Sequence, residues 1–280
     1  MKAIVNRIIP FSSVDGPGNR TAVFLQGCNL DCKYCHNPET RQVCRSCGIC
    51  VKACPAKALT GKEGKGVDFH EEKCLLCDTC IKVCPYSSSP RVRELTAKEV
   101  YEAVKRQQPF IRGITVSGGE CMLYPEFLTE LFTLIKKVGL GTLIDSNGTI
   151  PFWQYSELLQ VTDGIMLDIK AFDEGDHERI TGHSNKTVLE NVRYLSQNNK
   201  LAEVRVVVVQ ELYDARKSVE GIANLLSDCN AAKDIRIKLI AYRPMGVREE
   251  YAHYRIPSRD FLEELAEPFK QKGYQKIITI

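Results

Sequence analysis

Three cysteines, Cys28, Cys32 and Cys35, fall within eight positions of the run QGCNLDCKYCHNPE. Thiolates so spaced are metal ligands, yet a closed tetrahedral site needs a fourth donor. One reading takes it from His36 and makes the site zinc, which asks for an awkward chain path between adjacent ligands at 35 and 36. The other is a [4Fe–4S] cluster on three thiolates, with one iron left open to a ligand, as catalytic metal sites keep a position open. Eight more cysteines follow in two runs of C-x2-C-x2-C-x3-C-P, Cys44, Cys47, Cys50, Cys54 and Cys74, Cys77, Cys80, Cys84, ending in Pro55 and Pro85. These spacings suit cubane clusters in which the fourth cysteine of each run ligates the other cluster. Cys44, Cys47, Cys50 and Cys84 are then expected to hold one [4Fe–4S] cluster, and Cys74, Cys77, Cys80 and Cys54 the second; paired zinc sites are the alternative.

Other polar residues follow apolar runs. TVSGGE brings Gly118 and Gly119 before Glu120, and two glycines let a backbone approach a ligand whose ammonium a carboxylate can bind, although an ordinary glycine turn looks the same. LIDSNG carries Asp145 and Ser146, and IMLDIK carries Met166, Asp168 and Lys170. A lone Asp after a strand is often a helix cap. Two at matching positions, with Lys170 beside the second, suggest a polar wall for a charged ligand. Cys121 reads as a buried neighbour of Glu120, and Asp15 lies in a D-G-P-G turn.

These residues need a frame. Strands are predicted over residues 21–26, 113–117, 141–146, 164–169, 202–209 and 235–241, with an edge strand at 274–280. Several are apolar on both faces, as parallel strands under helices should be. Helices lie between them: Thr96 and Glu99 form a capping box, Pro125 suits a first turn, Lys136 and Lys137 a last turn, and Gly139 a stop. Leu128, Leu131, Phe132 and Ile135 supply a buried stripe. The alternation predicts an α/β fold, a partial (β/α)6 TIM-type barrel whose ligands gather at the carboxyl ends of the strands. The cysteine repeat, about 30 residues long, is too small to bury a core without metal. Residues 1–42 and 91–280 are therefore expected to form the barrel, and residues 43–90 an inserted bacterial-ferredoxin-like 2x[4Fe–4S] domain.

The 280 residues allow one large domain plus a small module. A formal net charge of +3 speaks against a nucleic-acid partner, and three clusters would bring the holoprotein to about −2. The amino-terminal run MKAIVNRIIPFSS reads as no signal peptide, and VRVVVVQ is too short to span a membrane. A cytoplasmic protein is expected, in which thirteen cysteines point to metal rather than disulfides.

The C-x3-C-x-aromatic-C pattern, with Tyr34 as the aromatic, resembles the signature of radical S-adenosylmethionine (SAM) enzymes. Together with IIPFSSVDGPGNR, ITVSGGE, DSNG, MLDIKAFD, TGHSN and KLAEVRVVVV, it resembles the activating enzymes of glycyl radical enzymes over the whole chain, and the YjjW-type activases most closely. The resemblance implies that SAM binds the open iron, with Tyr34, Gly118, Gly119, Glu120, Asp145, Ser146, Asp168, Lys170 and Arg243 as cofactor-binding residues. It implies a monovalent cation (Na+ or K+) among Asp145, Ser146, the Met166 carbonyl and Asp168, and contact of Asp15 and Arg205 with the partner's glycyl loop. IAYRPMG departs from the family, placing Arg243 where pyruvate formate-lyase activating enzyme has a histidine near the nucleoside. The implied partners are a glycyl radical enzyme of the YjjI type and a flavodoxin or ferredoxin-type electron donor. The implied reaction is reductive cleavage of SAM followed by hydrogen abstraction from a backbone glycine. A radical SAM enzyme acting on a small molecule or peptide, and an electron-transfer protein without turnover, are the alternatives.

Overall fold

The computed structural model describes all residues except 62, 63 and 65. In chain order, β1 (Lys2–Ser12) turns back into β2 (Arg20–Leu25), and α1 (Ile49–Ala53), β3 (Leu59–Gly61), β4 (Val67–Phe69) and α2 (Thr79–Lys82) follow. Then come β5 (Arg93–Thr96), α3 (Ala97–Lys105), β6 (Gly113–Gly118), α4 (Pro125–Lys136), β7 (Gly141–Ser146), α5 (Ser156–Val161) and β8 (Gly164–Asp168). Helices α6 (Glu174–Thr181) and α7 (Lys186–Gln197) lead to β9 (Leu201–Val208), and α8 (Ala215–Asp228), β10 (Arg236–Ala241), α9 (Arg259–Gln271) and β11 (Lys276–Thr279) complete the order.

The main sheet runs β11-β10-β9-β8-β7-β6-β2-β1-β5. From β2 to β11 every neighbouring pair is parallel, as crossover helices require; β1 and β5 join antiparallel at one edge. This mostly parallel α/β sheet is consistent with a partial TIM-type barrel. The expected strands are all present within one or two residues, the last as the edge strand β11. Strand β1 has no counterpart among the expected strands: residues 8–12, ahead of the D-G-P-G turn, continue an antiparallel strand. Pro10 sits where the β1–β2 register shifts, between Ile9 and Ser12, a place where a residue without N–H is tolerated.

Side chains of β9 show how the sheet divides its faces. Val204, Val206 and Val208 are fully buried in the main core, while Glu203, Arg205 and Val207 alternate onto the other face. Helix α4 seals the core with Leu128, Leu131, Phe132 and Ile135, none of them exposed, each contributing about 1.5–3 kcal/mol by burial. The Thr96–Glu99 capping box is formed at the start of α3. No helix among the described residues is long and apolar enough to cross a membrane.

The segment after β2 has a separate small cluster of buried residues, Cys50, Leu59 and Cys80, flanked by Val51, Cys54, Val67, Phe69 and Ile81. Its two ends meet. The Ser89 N–H donates to the Glu39 carbonyl (2.8 Å), and the Ser88 hydroxyl to that of Gln42 (2.8 Å). Gln26, at the end of β2, donates from its side chain to the carbonyls of both Glu39 and Gln42. The backbone repeats with the cysteines: Ser46 and Leu76, Gly48 and Asp78, and Lys57 and Ser87 all have positive φ at equivalent positions of the two runs.

Candidate active site

A cavity of about 280 Å³ opens at the carboxyl ends of the parallel strands. Cys28, Cys32 and Cys35 line it, on the loop that leaves β2. Asp15, Tyr34, Gly118, Gly119, Asp145, Ser146, Asp168, Lys170 and Arg205 share its walls, drawn from β6, β7, β8 and β9 and the segments beside them. A parallel sheet ends its strands on one side, so residues far apart in sequence arrive at one rim.

The polar wall is already paired. Asp145 accepts from the Ser117 hydroxyl at 2.9 Å and from Arg205 Nη1 at 2.8 Å. Register sets Asp168 opposite Arg205, and Met166 opposite Glu203, on neighbouring strands. Arg205 also pairs with Glu203, which in turn holds Arg236, so alternating charges run down the inner face. Burial works against the Arg205 charge, but Asp145 and Glu203 more than offset it and its pKa is raised. Burial pushes the Asp145 carboxyl up while Arg205 pulls it down. Lys170 bonds Asp168 at 2.5 Å, and burial of its ammonium is outweighed by that carboxylate, so its pKa is raised as well. The buried Tyr34 ring lies 5.9 Å from the Lys170 ammonium.

Glu120 does not line the cavity. It is buried behind Ser146 and Asn147, and its oxygens accept from the Met122 N–H (2.9 Å), the Ser146 hydroxyl (2.9 Å) and the Asn147 N–H (2.7 Å). Burial pushes its pKa up to about 7. Gly118 and Gly119 also answer to the fold: a Cβ would stand 2.2 Å from the Leu25 carbonyl oxygen at the first and 2.1 Å from that of Gly27 at the second. Their lack of side chains lets the end of β6 press against the start of the cysteine loop, where Glu120 N–H reaches the Gly27 carbonyl at 2.7 Å.

Met166 is buried, and its sulfur faces Arg205 at 3.2 Å. Arg243 is exposed and does not line the cavity; its backbone carbonyl pairs with His36 Nε2 at 2.9 Å. Cys121 is fully buried, with its thiol directed to the Asp145 carbonyl. Sequence reasoning passed over Ser117, Asn147 and Asn37, which also line the cavity, and Arg248, which donates to the Cys32 carbonyl at 3.2 Å. Ser117 and Asn147 sit at strand ends, a position that could have flagged them. No local pattern points to Arg248, 216 residues away from Cys32.

The donor set fits an iron–sulfur cluster. The three cysteines are free, gathered on one cavity and shielded. Burial raises the Cys28 thiol to about 11, Cys32 to about 12, and Cys35 likewise upward. Thiols ligate metal as thiolates, so metal loading at these three would release their protons. Among the described residues, no three His, Cys, Asp or Glu side chains gather as a single-ion site.

A family model for the radical SAM superfamily matches residues 22–216, which include the cysteine loop and strands β6 to β9. A Haemophilus influenzae protein whose name assigns it provisionally to the glycyl-radical enzyme activating enzymes is 32% identical, covering 99% of this chain and 96% of its own. The choline trimethylamine-lyase activating enzyme of Oleidesulfovibrio alaskensis is 32% identical across 88% of this chain and 85% of its own. Among solved structures, QueE from Escherichia coli superposes with a TM-score of 0.56 at 15% identity, covering 100% of this chain and 94% of that one, a likeness of fold. The chain belongs to the radical SAM superfamily and, within it, to the activating enzymes of glycyl-radical enzymes.

Proposed function

We propose that Cys28, Cys32 and Cys35 hold the [4Fe–4S] cluster of a glycyl radical enzyme activase, and that SAM occupies the cavity they line. The observation that carries this reading is the meeting of three shielded thiols with Asp145, Ser146, Asp168, Lys170 and Arg205 on one cavity. When bound and reduced by one electron, the cluster and SAM supply cleavage of the C5′–S bond to methionine and a carbon radical, which takes a hydrogen atom from a partner glycine.

The chain's own residues orient and enclose. Gly118 and Gly119 let backbone reach the cavity, and Ser146, Asp168 and Lys170 offer a hydroxyl, an anion and a cation to the charged ends of SAM. Tyr34 packs beneath Lys170. Glu120, its oxygens already engaged, acts on SAM by fixing Ser146 and Asn147. Asp15 and Arg205 face the cavity where a glycyl loop would enter. Arg243, exposed, faces the partner rather than the adenine. A sodium or potassium ion among Asp145, Ser146, the Met166 carbonyl and Asp168 would have to compete with Arg205 and Lys170 for the two carboxylates.

Residues 43–90 are proposed as a ferredoxin-like insert in the barrel of residues 1–42 and 91–280. Cys44, Cys47, Cys50 and Cys84 would hold one of its [4Fe–4S] clusters, and Cys74, Cys77, Cys80 and Cys54 the other, three clusters in all. The paired positive-φ residues of the two runs, and the N–H of Ser46 and Leu76 aimed at Cys44 and Cys74 at 3.4 and 3.5 Å, support this. The insert would pass electrons from a flavodoxin or ferredoxin-type donor in the cytoplasm to the cluster on Cys28, Cys32 and Cys35, and the glycyl radical enzyme so activated would be of the YjjI type.

The test is anaerobic incubation of the iron-loaded protein with SAM and a reductant, with and without a glycyl radical enzyme. Formation of 5′-deoxyadenosine and an EPR doublet on the partner is expected. No 5′-deoxyadenosine from the fully loaded protein would sink the proposal.

A further inference from the structure

Asn147 stands at the end of β7, almost fully buried, and no step assigned above uses its side chain. Its Nδ2 lies 3.7 Å from Cys28 Sγ and 3.0 Å from Asn29 Oδ1. An asparagine amide can be turned either way, but here its neighbours decide. Oδ1 accepts from the Thr149 backbone N–H at 3.0 Å and from the Thr149 hydroxyl at 2.7 Å, and a backbone N–H can only donate. The nitrogen must therefore face the sulfur. The ring closes through Asn29, whose Nδ2 donates to the Thr149 hydroxyl at 2.7 Å. Behind it, buried Glu120 fixes the Asn147 N–H at 2.7 Å.

Cys28 also accepts the Leu30 N–H at 3.4 Å, the same main-chain bond that Cys44 and Cys74 receive. Among the described residues no side-chain amide bonds Cys44 or Cys74, although the Arg91 guanidinium approaches Cys74. Hydrogen bonds to cluster sulfurs are one of the determinants of an iron–sulfur potential. A donor at the sulfur stabilises the extra electron of the reduced cluster more than it stabilises the oxidised form.

We infer that Asn147, locked by Thr149, Asn29 and Glu120, is a positioning residue that raises the reduction potential of the cluster on Cys28, Cys32 and Cys35 through its N–H···S bond to Cys28. The inference rests on that cluster assignment. It gives DSNG a task beyond lining the SAM cavity and gives Glu120 a route to the cluster.

The experiment is a potentiometric titration of the iron-loaded full chain, following the EPR component that changes when SAM is added. Asn147→Ala removes the donor. Asn147→Asp removes it while keeping an oxygen for the Thr149 N–H. Each is expected to cut the reduced-to-oxidised ratio at a fixed potential about tenfold, a fall of ~59 mV for a one-electron couple. The components from other clusters should stay in place. Thr149→Val, which loses the hydroxyl that steers Asn147, should give a smaller fall. A variant is scored only if its iron content matches the unsubstituted chain, and Thr149→Val decides if both Asn147 variants lose iron. An unmoved potential in an iron-replete variant overturns the inference alone. Absence of any SAM-responsive component in the unsubstituted chain overturns the cluster assignment as well.

Discussion

Two cysteine-bearing regions of this protein are built on opposite terms. Cys28, Cys32 and Cys35 hang on a loop whose surroundings are rigid without them: parallel strands, a full apolar core and a chain of buried ion pairs from Asp145 through Arg205 and Glu203 to Arg236. Among the described residues of the segment from 43 to 90, the centre of the buried cluster is Cys50, Leu59 and Cys80. Five of the seven non-glycine residues with positive φ among the described residues lie there: Ser46, Lys57, Leu76, Asp78 and Ser87. Backbone held in that region by residues with a Cβ is strained, and the strain persists only where something else over-determines it. In the barrel the fold positions the thiols. In residues 43–90, on the proposed cluster assignment, the thiols and the clusters they would bind have to hold the fold.

That contrast is open to direct test, and the largest effect should come from the cavity. Cys32→Ala is expected to abolish formation of 5′-deoxyadenosine, by about 10³-fold or more, with any reductant. Cys47→Ala or Cys77→Ala should slow activation several-fold with a protein donor and leave SAM cleavage by a strong chemical reductant nearly intact. Equal losses with both reductants would dissolve the distinction between the regions.

Iron removal should divide the molecule. With the metal chelated anaerobically, limited proteolysis is expected to cut first within residues 43–90, while the far-UV circular dichroism of the barrel persists. Loss of the barrel signal in step with the cuts would mean that the two regions fold as one.

Arg205→Ala probes the barrel's independence from the opposite side. It leaves Asp145 and Glu203 buried without their shared cation and should destabilise the chain by about 3–5 kcal/mol in denaturant unfolding, cluster or no cluster. An effect seen only in the loaded protein would place the ion pairs in the service of the cofactor.

The smallest effects sharpen the comparison. Leu76, exposed and at φ 53°, should favour glycine: Leu76→Gly is expected to stabilise the folded segment by about 1 kcal/mol, read as slower proteolysis of the iron-loaded protein. Thr96→Ala removes the cap of α3 in the unstrained barrel and should destabilise by about 1 kcal/mol in denaturant unfolding.

Much of the barrel was legible before any coordinates because its signals are local. Apolar runs of the right length became β2 and β6 to β10, and the cap at Thr96 and the stripe of α4 behaved as their periodicity demands. Strand β1, between β2 and β5, was not legible over residues 8–12, because a proline and a register shift break the alternation that marks a strand. The site was half legible. Residue types and spacing marked the three cysteines, Asp145, Asp168 and Lys170. Their partners were hidden. Glu120 looks from its neighbours like a ligand to an ammonium group, and only the packing of β6 against β7 turns its oxygens to Ser146 and Asn147. Arg248 reaches the Cys32 carbonyl from the far end of the chain.

Residue types and their order alone set what chemistry is available: eleven cysteines in three runs, a parallel α/β alternation, and polar residues at strand ends. Residue identity carries that information because a thiol's affinity for metal and a valine's preference for a strand belong to the residue. Which carboxylate faces a ligand, which amide faces a sulfur and which arginine neutralises which acid were decided by the tertiary structure. Those are properties of distance and burial between elements. Asn147 is the clearest case: one asparagine in a turn-like run, until Thr149, Asn29 and Glu120 leave its nitrogen nowhere to point but at Cys28.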